Sequence, residues 1–472
     1  MIAPAAHPAL AYARAHRARV VSELKRFVAF PSVAGNPAHA GDVRRCAGWL
    51  AEHLRSIGLE ARVRETSGAP LVVARWSGAP GRPTVLVYGH YDVQPADDPD
   101  EWTSPPFQPA VRGDELFGRG ACDDKGQLWA HVNAIEALLR TTGRLPVNVV
   151  CVFEGEEEAG SAGLLDALRR APGEFAADVA LVSDTPMRAP GRPGITYGLR
   201  GALSLELEVR GPSHDLHSGV YGGAVHNPLQ ALCEIVARLH GPDGRIAVPG
   251  LYDGVQPPSR GERAYLARTG PSDRELLANA GDPPGGWGER GWTAYERCTV
   301  RPSLSVNGIT GGHGGEAGMA VIPAHAVAKL SLRLVPGQDP SRVDRLFREH
   351  VARIAPRTVR VEVRTRFGAQ PARMDTRHPA MRAAARALRQ AFGAPAVFLR
   401  SGGTIPVVNA LGQALGAPVV LMGLARPRDG MHAPDERMHL PTLFRGIEAS
   451  IRFLCAMGRD ASPPAEKGRA DR

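Results

Sequence analysis

Several apolar stretches of this chain end in residues that could carry chemistry. The residues are His90 and Asp92 after 84–88, Glu154 and Glu156 to Glu158 after 147–153, and Asp184 after 179–183. Two adjacent acids, Asp123 and Asp124, precede a predicted helix, and His432 lies in a glycine-containing segment far downstream. Imidazole nitrogens and carboxylate oxygens are common ligands of Zn²⁺. Metal-assisted hydrolysis is therefore the chemistry that these residue types suggest.

Each of these motifs also has an ordinary structural interpretation when it is taken alone. A His-x-Asp sequence is often a polar turn, an acid pair can cap a helix, and a run of glutamates is usually a solvated face. Several of the motifs follow predicted buried strands, and this coincidence favours a functional site, because open α/β sheets place their sites outside the carboxyl ends of the strands. Two histidines and three carboxylates would suffice for two cations, one carboxylate bridging them. A spare glutamate beside a ligand could act as a general base.

The elements that would position these residues follow an α/β pattern. Helical periodicity covers 42–57 and 127–140, and the buried strands are predicted at 84–88, 147–153 and 179–183. After residue 370 the same pattern returns, with a helix at 379–392, a glycine-rich turn at 401–403, a strand at 418–422 and a helix at 441–456. We therefore predict one α/β domain formed by residues 1–198 and 371–472.

Residues 199–370 have a different pattern, which predicts an inserted α+β domain. The predicted strands are 203–210, 303–309, 326–335 and 358–367, and the predicted helices are 228–240 and 341–354. The order β-α-β-β-α-β is that of a ferredoxin-like domain. A long segment rich in glycine and proline, roughly 241–300, separates the first helix from the second strand.

Composition argues against several other classes of protein. The net charge is +9, but only four of the 57 basic residues are lysines, and the arginines are spaced like surface positions rather than a basic tail. A nucleic-acid partner is therefore not expected. No stretch approaches the length of a membrane helix, so no membrane partner is expected either. The six cysteines form no C-x-x-C pair and fit a reducing, cytoplasmic location.

The motifs, taken in order, resemble those of the M20 metallopeptidases. The matching segments are His90-x-Asp92, Gly120-x-x-Asp123-Asp124-Lys125-Gly126, Glu157-Glu158-x-Gly160-Ser161, Asp184 and His432. Other segments resemble the carnosinase/cytosolic non-specific dipeptidase branch of that family, namely 214–223, 248–253, 332–336 and 400–406. The resemblance runs from about residue 15 to residue 455.

This resemblance implies two divalent metal ions per subunit. His90 and Asp184 would bind one ion, and His432 and Glu158 would bind the other. Asp123 would bridge the two ions, and its peptide bond to Asp124 would be cis. Asp92 would orient His90, and Glu157 would be the general base. Zn²⁺ suits this ligand set best, and Mn²⁺ would also fit.

The resemblance further implies a substrate site and a homodimer. Arg333 and the turn formed by Gly402, Gly403 and Thr404 would hold the C-terminal carboxylate of a small peptide substrate. The inserted domain would serve as a lid and dimerisation domain. His217 would reach the neighbouring subunit's site and stabilise the oxyanion.

The implied function is hydrolysis of the amide bond of dipeptides or similar short peptides by a metal-bridging water with a glutamate base. A deacylase of N-acyl amino acids and a non-catalytic peptide-binding scaffold are the alternatives. Two positions depart from the branch, since Ala320 stands where a polar residue is usual and Thr404 where serine is usual. His439 is a rival to His432, but its surroundings lack the motif.

Overall fold

The structure is a computed structural model that describes residues 7–96, 98–314 and 319–459. The outermost residues of the predicted α/β domain, 1–6 and 460–472, lie outside the described residues. The chain divides into two compact units. Unit 1 comprises residues 1–197, 374–399 and 407–472, and unit 2 comprises residues 198–373 and 400–406.

The strands are numbered in chain order. They are β1 Glu60–Arg64, β2 Leu71–Trp76, β3 Thr84–His90, β4 Ala110–Arg112, β5 Glu115–Phe117, β6 Asn148–Glu154, β7 Val179–Val182, β8 Gly194–Leu199, β9 Gly201–Arg210, β10 Leu216–His217, β11 Ser303–Gly311, β12 Val321–Ile322, β13 His325–Leu334, β14 Arg360–Ala369, β15 Ala372–Arg373, β16 Val397–Arg400, β17 Val419–Gly423 and β18 Arg437–His439.

The helices follow the same convention. They are α1 Pro8–Ala15, α2 Arg17–Val28, α3 Ala40–Ser56, α4 Lys125–Thr142, α5 Ala162–Arg170, α6 Ser218–Tyr221, α7 Pro228–Ala237, α8 Arg260–Thr269, α9 Asp273–Asn279, α10 Ala294–Thr299, α11 Pro340–Ile354, α12 Pro379–Phe392, α13 Pro406–Leu415 and α14 Leu440–Arg459. The predicted mixture of helices and strands, and hence the α/β fold class, is confirmed.

The main sheet of unit 1 has the strand order β1-β2-β6-β3-β7-β17-β8. The four strands in its middle, β6, β3, β7 and β17, are parallel to one another, whereas β1, β2 and β8 pair in antiparallel fashion. Strands β6, β3 and β7 are buried over almost their whole length, as parallel strands covered on both faces should be. Their carboxyl ends therefore meet at one edge of the sheet.

Helix α4 packs in the core of unit 1 and fixes where the acid pair lies. Every residue from Lys125 to Leu138 is buried, and the helix begins directly after Asp124. A Cβ atom on Gly126 would collide with the backbone carbonyl of Ala121, so this first turn accepts only glycine. The Asp123–Asp124 peptide bond is cis.

Unit 2 contains the predicted β-α-β-β-α-β order in β9, α7, β11, β13, α11 and β14. Its four strands are antiparallel in the order β11-β13-β9-β14. On β9 the alternating residues Leu203, Leu205, Leu207 and Val209 are buried, so they form the face of the strand that packs in the core. The predicted boundaries at 198/199 and 370/371 lie close to those of unit 2, which in addition takes up residues 400–406. The roles of catalytic, lid and dimerisation domains stay predictions.

The segment 241–300 contains helices that composition did not reveal. Ser259 caps α8, and capping boxes built on Ser272 and Thr293 begin α9 and α10. Each cap supplies a side-chain oxygen to an otherwise unpaired backbone N–H group, which stabilises helices of only ten, seven and six residues. Short helices between glycines and prolines give little periodicity, so the sequence indicated only an irregular segment.

Candidate metal centre

The candidate residues follow the four parallel strands at the centre of the unit 1 sheet. His90 ends β3, Asp184 lies just beyond β7, and Glu157 and Glu158 come three and four residues after β6. His432 lies in the segment that leaves β17. The four segments are brought together because β6, β3, β7 and β17 are neighbours in the sheet. Asp123 reaches the same place from the start of α4.

Two groups of side chains are close enough to hold a cation each. One is His90, Asp123 and Asp184, and the other is Asp123, Glu158 and His432, with one ligand atom from each residue lying within 4.8 Å of the others. Asp123 belongs to both groups. The structure thus brings together all five residues that the sequence suggested as ligands.

Asp123 presents one carboxylate oxygen to each histidine. Its Oδ1 lies 3.1 Å from His90 Nε2, and its Oδ2 lies 2.9 Å from His432 Nε2. Burial raises the pKa of Asp123, but the hydrogen bonds with His432 and His90 outweigh burial and hold that pKa below its usual range. The contacts of His432 Nε2 with Asp123 and then with Glu158 raise the pKa of His432 to about 10. A carboxylate that offers separate oxygens in two directions is suited to bridging two cations.

Asp92 connects His90 to the glutamate segment. Its Oδ1 lies 3.4 Å from His90 Nδ1, and its backbone carbonyl lies 3.1 Å from the same nitrogen. Its two carboxylate oxygens also accept hydrogen bonds from the backbone N–H groups of Glu157 and Glu158, at 3.2 and 3.0 Å. Asp92 therefore fixes the orientation of the His90 ring and the position of both glutamates.

The centre holds more negative charge than its side chains can neutralise. Burial raises the pKa of Asp184 well above its ordinary value, and the charges of Asp123 and Asp124 raise it further. Burial raises the pKa of Glu157 to about 8, with help from Glu158 and against the opposing effect of His90. The buried Oε1 of Glu158 has no hydrogen-bond partner among the described residues, although it lies 3.1 Å from His432 Nε2. Divalent cations would stabilise such a cluster, so the donor set fits them.

The segment that carries His432 has an unusual backbone. His432 and Asp435 have φ values of 61° and 55°, in the left-handed region that residues other than glycine rarely adopt. Asp435 is held by Thr103, whose backbone N–H and hydroxyl donate to its carboxylate at 3.0 and 2.6 Å. Strained residues of this kind tend to persist at functional sites, where the surrounding contacts enforce them.

Glu436 is an important residue whose role the sequence did not reveal. Its buried carboxylate accepts backbone N–H groups from Gly120 at 2.9 Å, Cys122 at 2.9 Å and Asp123 at 3.0 Å. It also pairs with the buried guanidinium of Arg119 at 3.0 Å. Glu436 thereby holds the backbone that presents Asp123. The only signal in the sequence was an acid four residues after His432, with nothing to indicate its distant partners.

Gln94 is a second contributor that the sequence did not single out. Its Nε2 donates to Oε2 of Glu158 at 2.8 Å. This bond restrains one oxygen of Glu158 and leaves the other directed toward His432. His439, the rival to His432, is engaged elsewhere, since its Nδ1 lies 2.8 Å from the Thr442 hydroxyl.

The remaining predicted site residues lie in unit 2. Arg333 Nη1 donates to the Thr404 hydroxyl at 2.7 Å, so these two predicted substrate contacts are neighbours. Gly402 and Gly403 lie in the same loop as Thr404. His217 ends β10 and is exposed, and its Nδ1 accepts the N–H of Gly219 at 3.0 Å. Ala320 contributes a backbone carbonyl that accepts the N–H of Ser218 at 2.8 Å.

Comparison with known proteins agrees with this geometry. Residues 86–456 match the model of peptidase family M20/M25/M40. The Cys-Gly metallodipeptidase dug1 of Schizosaccharomyces pombe is 33% identical to the chain, over 92% of the chain and 94% of the relative. The crystal structure of human carnosine dipeptidase 1 is 29% identical and has a TM-score of 0.83, covering 96% of this chain and 98% of that one. The crystal structure of the M20 family metallo-carboxypeptidase Sso-CP2 of Sulfolobus solfataricus is also 29% identical and has a TM-score of 0.83, covering 93% of this chain and 99% of that one.

A site of clustered histidines and carboxylates at the edge of an α/β sheet defines a metallohydrolase. The chain belongs to peptidase family M20, because the family model covers most of its length. The resemblance that the motifs suggested is therefore confirmed at the level of the family. Among the described residues, no helix combines the length and the apolar character that crossing a bilayer requires.

Proposed function

We propose that the protein is a metal-dependent dipeptidase that uses two divalent cations. The observation that carries the proposal is the pair of ligand groups that share Asp123, with Glu157 beside them. His90 and Asp184 would bind one cation, and Glu158 and His432 would bind the other. Zn²⁺ is the proposed ion because it favours imidazole and carboxylate ligands, with Mn²⁺ as the alternative.

Bound cations would supply Lewis acidity, which makes water more acidic and polarises a carbonyl group. The residues of the chain would transfer the proton and hold the reacting groups in place. Glu157 would accept the proton of the attacking water and pass it to the nitrogen of the leaving amine. Its raised pKa in the absence of cations would fall when positive charge is bound nearby, which would keep it ionised as a base. Asp92 would hold Glu157 in place by accepting the backbone N–H of Glu157 with its carboxylate.

Substrate selection would depend on the C-terminal carboxylate of the peptide. Arg333 and the Gly402-Gly403-Thr404 turn would bind this group, since a guanidinium matches a carboxylate in geometry and charge. The contact between Arg333 and the Thr404 hydroxyl supports a shared role. His217 of a second copy of the chain would stabilise the oxyanion of the tetrahedral intermediate.

The proposed function is tested by a substrate panel with the purified, metal-loaded protein. We expect dipeptides to be hydrolysed faster than N-acyl amino acids or tripeptides, and a chelator to abolish cleavage. Restoration by Zn²⁺ or Mn²⁺ would then rank the two metals. Preference for N-acyl amino acids would identify a deacylase, and preference for tripeptides would identify a longer-peptide enzyme. Absence of all cleavage by loaded protein would favour the binding scaffold.

We also propose that unit 2 forms a homodimer through the edge of its sheet. Strand β11 is the outer strand in the order β11-β13-β9-β14, and its side chains from Ser305 to Gly311 are exposed. Val306 and Ile309 are 40% and 41% exposed, and an outer strand with exposed apolar side chains is a surface that can pair with another strand. Light scattering should give the mass of two chains for the wild type and of one chain for Val306→Lys. A monomeric wild type would contradict this proposal.

A cytoplasmic location is proposed from the cysteines. All six are free thiols, and Cys46, Cys122 and Cys151 are buried in unit 1. Free thiols persist in a reducing compartment. Fractionation of the producing cells should recover the protein with cytoplasmic markers, and recovery from the medium would contradict the assignment.

A further inference from the structure

We infer that the segment 241–300 fixes the loop Arg400–Pro406, with Tyr295 and Glu262 as positioning residues for recognition of the substrate carboxylate. The loop Arg400–Pro406 is called the carboxylate loop below, because it contains Gly402, Gly403 and Thr404. The inference rests on the proposed function of that loop. Helices α8 and α10 would set the position of the carboxylate loop, and this position would determine the preference for peptides with a free C-terminus.

Tyr295 binds the backbone at the start of the carboxylate loop in both directions. Its hydroxyl donates to the carbonyl of Arg400 at 2.8 Å and accepts the N–H of Arg400 at 3.0 Å. The residue is in the first turn of α10 and only 7% exposed. A buried hydroxyl with two backbone partners leaves the bound backbone little freedom to move. Tyr295 therefore fixes the position of the Arg400 backbone, two residues before Gly402.

Glu262 binds the side chain of the same loop residue. Its Oε1 accepts Arg400 Nε at 3.1 Å and Arg400 Nη2 at 2.5 Å, and the Arg400 side chain is only 5% exposed. Glu262 lies in the first turn of α8. A charge-assisted contact through two nitrogens fixes orientation as well as distance. The backbone and the side chain of Arg400 are therefore held by two different helices of the segment 241–300.

Gly402 rests against α10 without space for a side chain. A Cβ atom on Gly402 would lie 2.5 Å from the backbone carbonyl of Cys298. Arg200 binds two neighbouring carbonyl groups of the loop. Its side-chain Nε donates to the Gly402 carbonyl at 3.0 Å, and its backbone N–H donates to the Gly403 carbonyl at 3.1 Å. Arg200 is itself anchored, because its Nη1 donates to the Ser303 hydroxyl at 2.9 Å. Gly402 thus allows close backbone approach, and the surrounding residues determine where the loop lies.

Position matters here because the loop and Arg333 would act on one carboxylate. Arg333 already contacts the loop through the Thr404 hydroxyl at 2.7 Å. A displacement of the loop by a fraction of an ångström would separate the turn from the guanidinium, and both must be in reach for cooperative binding of one anion. Loosening the loop should therefore weaken binding of the carboxylate while the metal centre of unit 1 keeps its own contacts.

The test compares Tyr295→Phe with Tyr252→Phe on a dipeptide and on the same dipeptide with its C-terminus amidated. Tyr252 is the matched control because its hydroxyl accepts the N–H of Ile246, within the segment and away from the carboxylate loop. The wild type should prefer the free acid over the amide. In Tyr295→Phe this ratio of kcat/KM should fall about tenfold, through a raised KM for the free acid, because both hydrogen bonds to the Arg400 backbone are lost. Tyr252→Phe should keep the ratio.

The outcomes separate this inference from the proposed function. A wild type that cleaves acid and amide equally would overturn carboxylate recognition itself. A wild type that discriminates, together with a Tyr295→Phe variant that discriminates equally well, would overturn the role of the segment 241–300. If Tyr295→Phe does not fold, Glu262→Gln carries the same prediction, because it weakens the contact to Arg400 from the other helix. An unchanged ratio in that variant would likewise contradict the inference.

Discussion

Replacing Glu157 with glutamine is expected to lower kcat by about 10²- to 10⁴-fold, the usual contribution of a general base. Glutamine keeps the size of the side chain and the backbone N–H that donates to Asp92 at 3.2 Å. It removes the negative charge and with it the ability to accept a proton. Because Glu157 is not part of either ligand group, the metal content of the variant should stay near that of the wild type. Steady-state kinetics and elemental analysis on the same preparation check both expectations.

The adjacent residue provides the control for this experiment. Glu158→Gln makes the same chemical change one residue along, but in a side chain of the ligand group with Asp123 and His432. It should lose metal as well as activity. A Glu157→Gln variant that keeps more than a tenth of the wild-type rate, or one that loses metal as Glu158→Gln does, would show that Glu157 is not the base.

Replacing Glu436 with glutamine is expected to weaken metal binding by about 10- to 100-fold without removing any ligand. The carboxylate accepts four donors, from the backbone of Gly120, Cys122 and Asp123 and from Arg119. An amide has one acceptor oxygen, so its NH₂ group would face donors in place of the second oxygen. Arg119, which is 2% exposed, would lose the charge that balances its own. Asp123 would then be presented by a loosened backbone.

Metal affinity of Glu436→Gln can be measured by competition with a chelator of known strength. Glu448→Gln is the matched control, because Glu448 pairs with Arg452 within α14 of the same unit, with its Oε1 at 3.0 Å from Arg452 Nε and 2.6 Å from Arg452 Nη2. Its affinity for metal should be close to that of the wild type. Equal affinities in all three proteins would contradict the positioning role of Glu436.

The parts of the fold that sequence reasoning predicted share one physical property. Strands such as 84–88 and 147–153 are buried on both faces, so they appear as uninterrupted apolar runs whatever surrounds them. The residues after them, His90 and the glutamates, stand out because several such runs end in possible metal ligands. The alternation of apolar and polar residues on β9 is likewise a local pattern, because it requires only that one face of the strand is covered. These patterns are local, and the structure has the elements within a few residues of the predicted positions.

What the sequence did not reveal depends on contacts between distant segments. Glu436 acts on residues more than 300 positions earlier, at Gly120 and Asp123, and nothing near Glu436 indicates that partnership. Tyr295 and Arg400 are 105 residues apart. The segment 241–300 shows no periodicity because its helices are short and held by caps, and the grouping of 400–406 with unit 2 follows from such long-range bonds.

The order of the central strands has a consequence for synthesis of the protein on the ribosome. The ligands His90, Asp123 and Asp184 are all present once fewer than two hundred residues have emerged, whereas His432 follows only after the whole of unit 2. Strand β17 must then insert between β7 and β8, which were made more than two hundred residues earlier. An incomplete nascent chain can therefore gather one group of ligands and not the other. A nascent chain that has not yet reached His432 would lack the second ligand group, so the proposed two-cation hydrolysis would begin only after that residue has emerged.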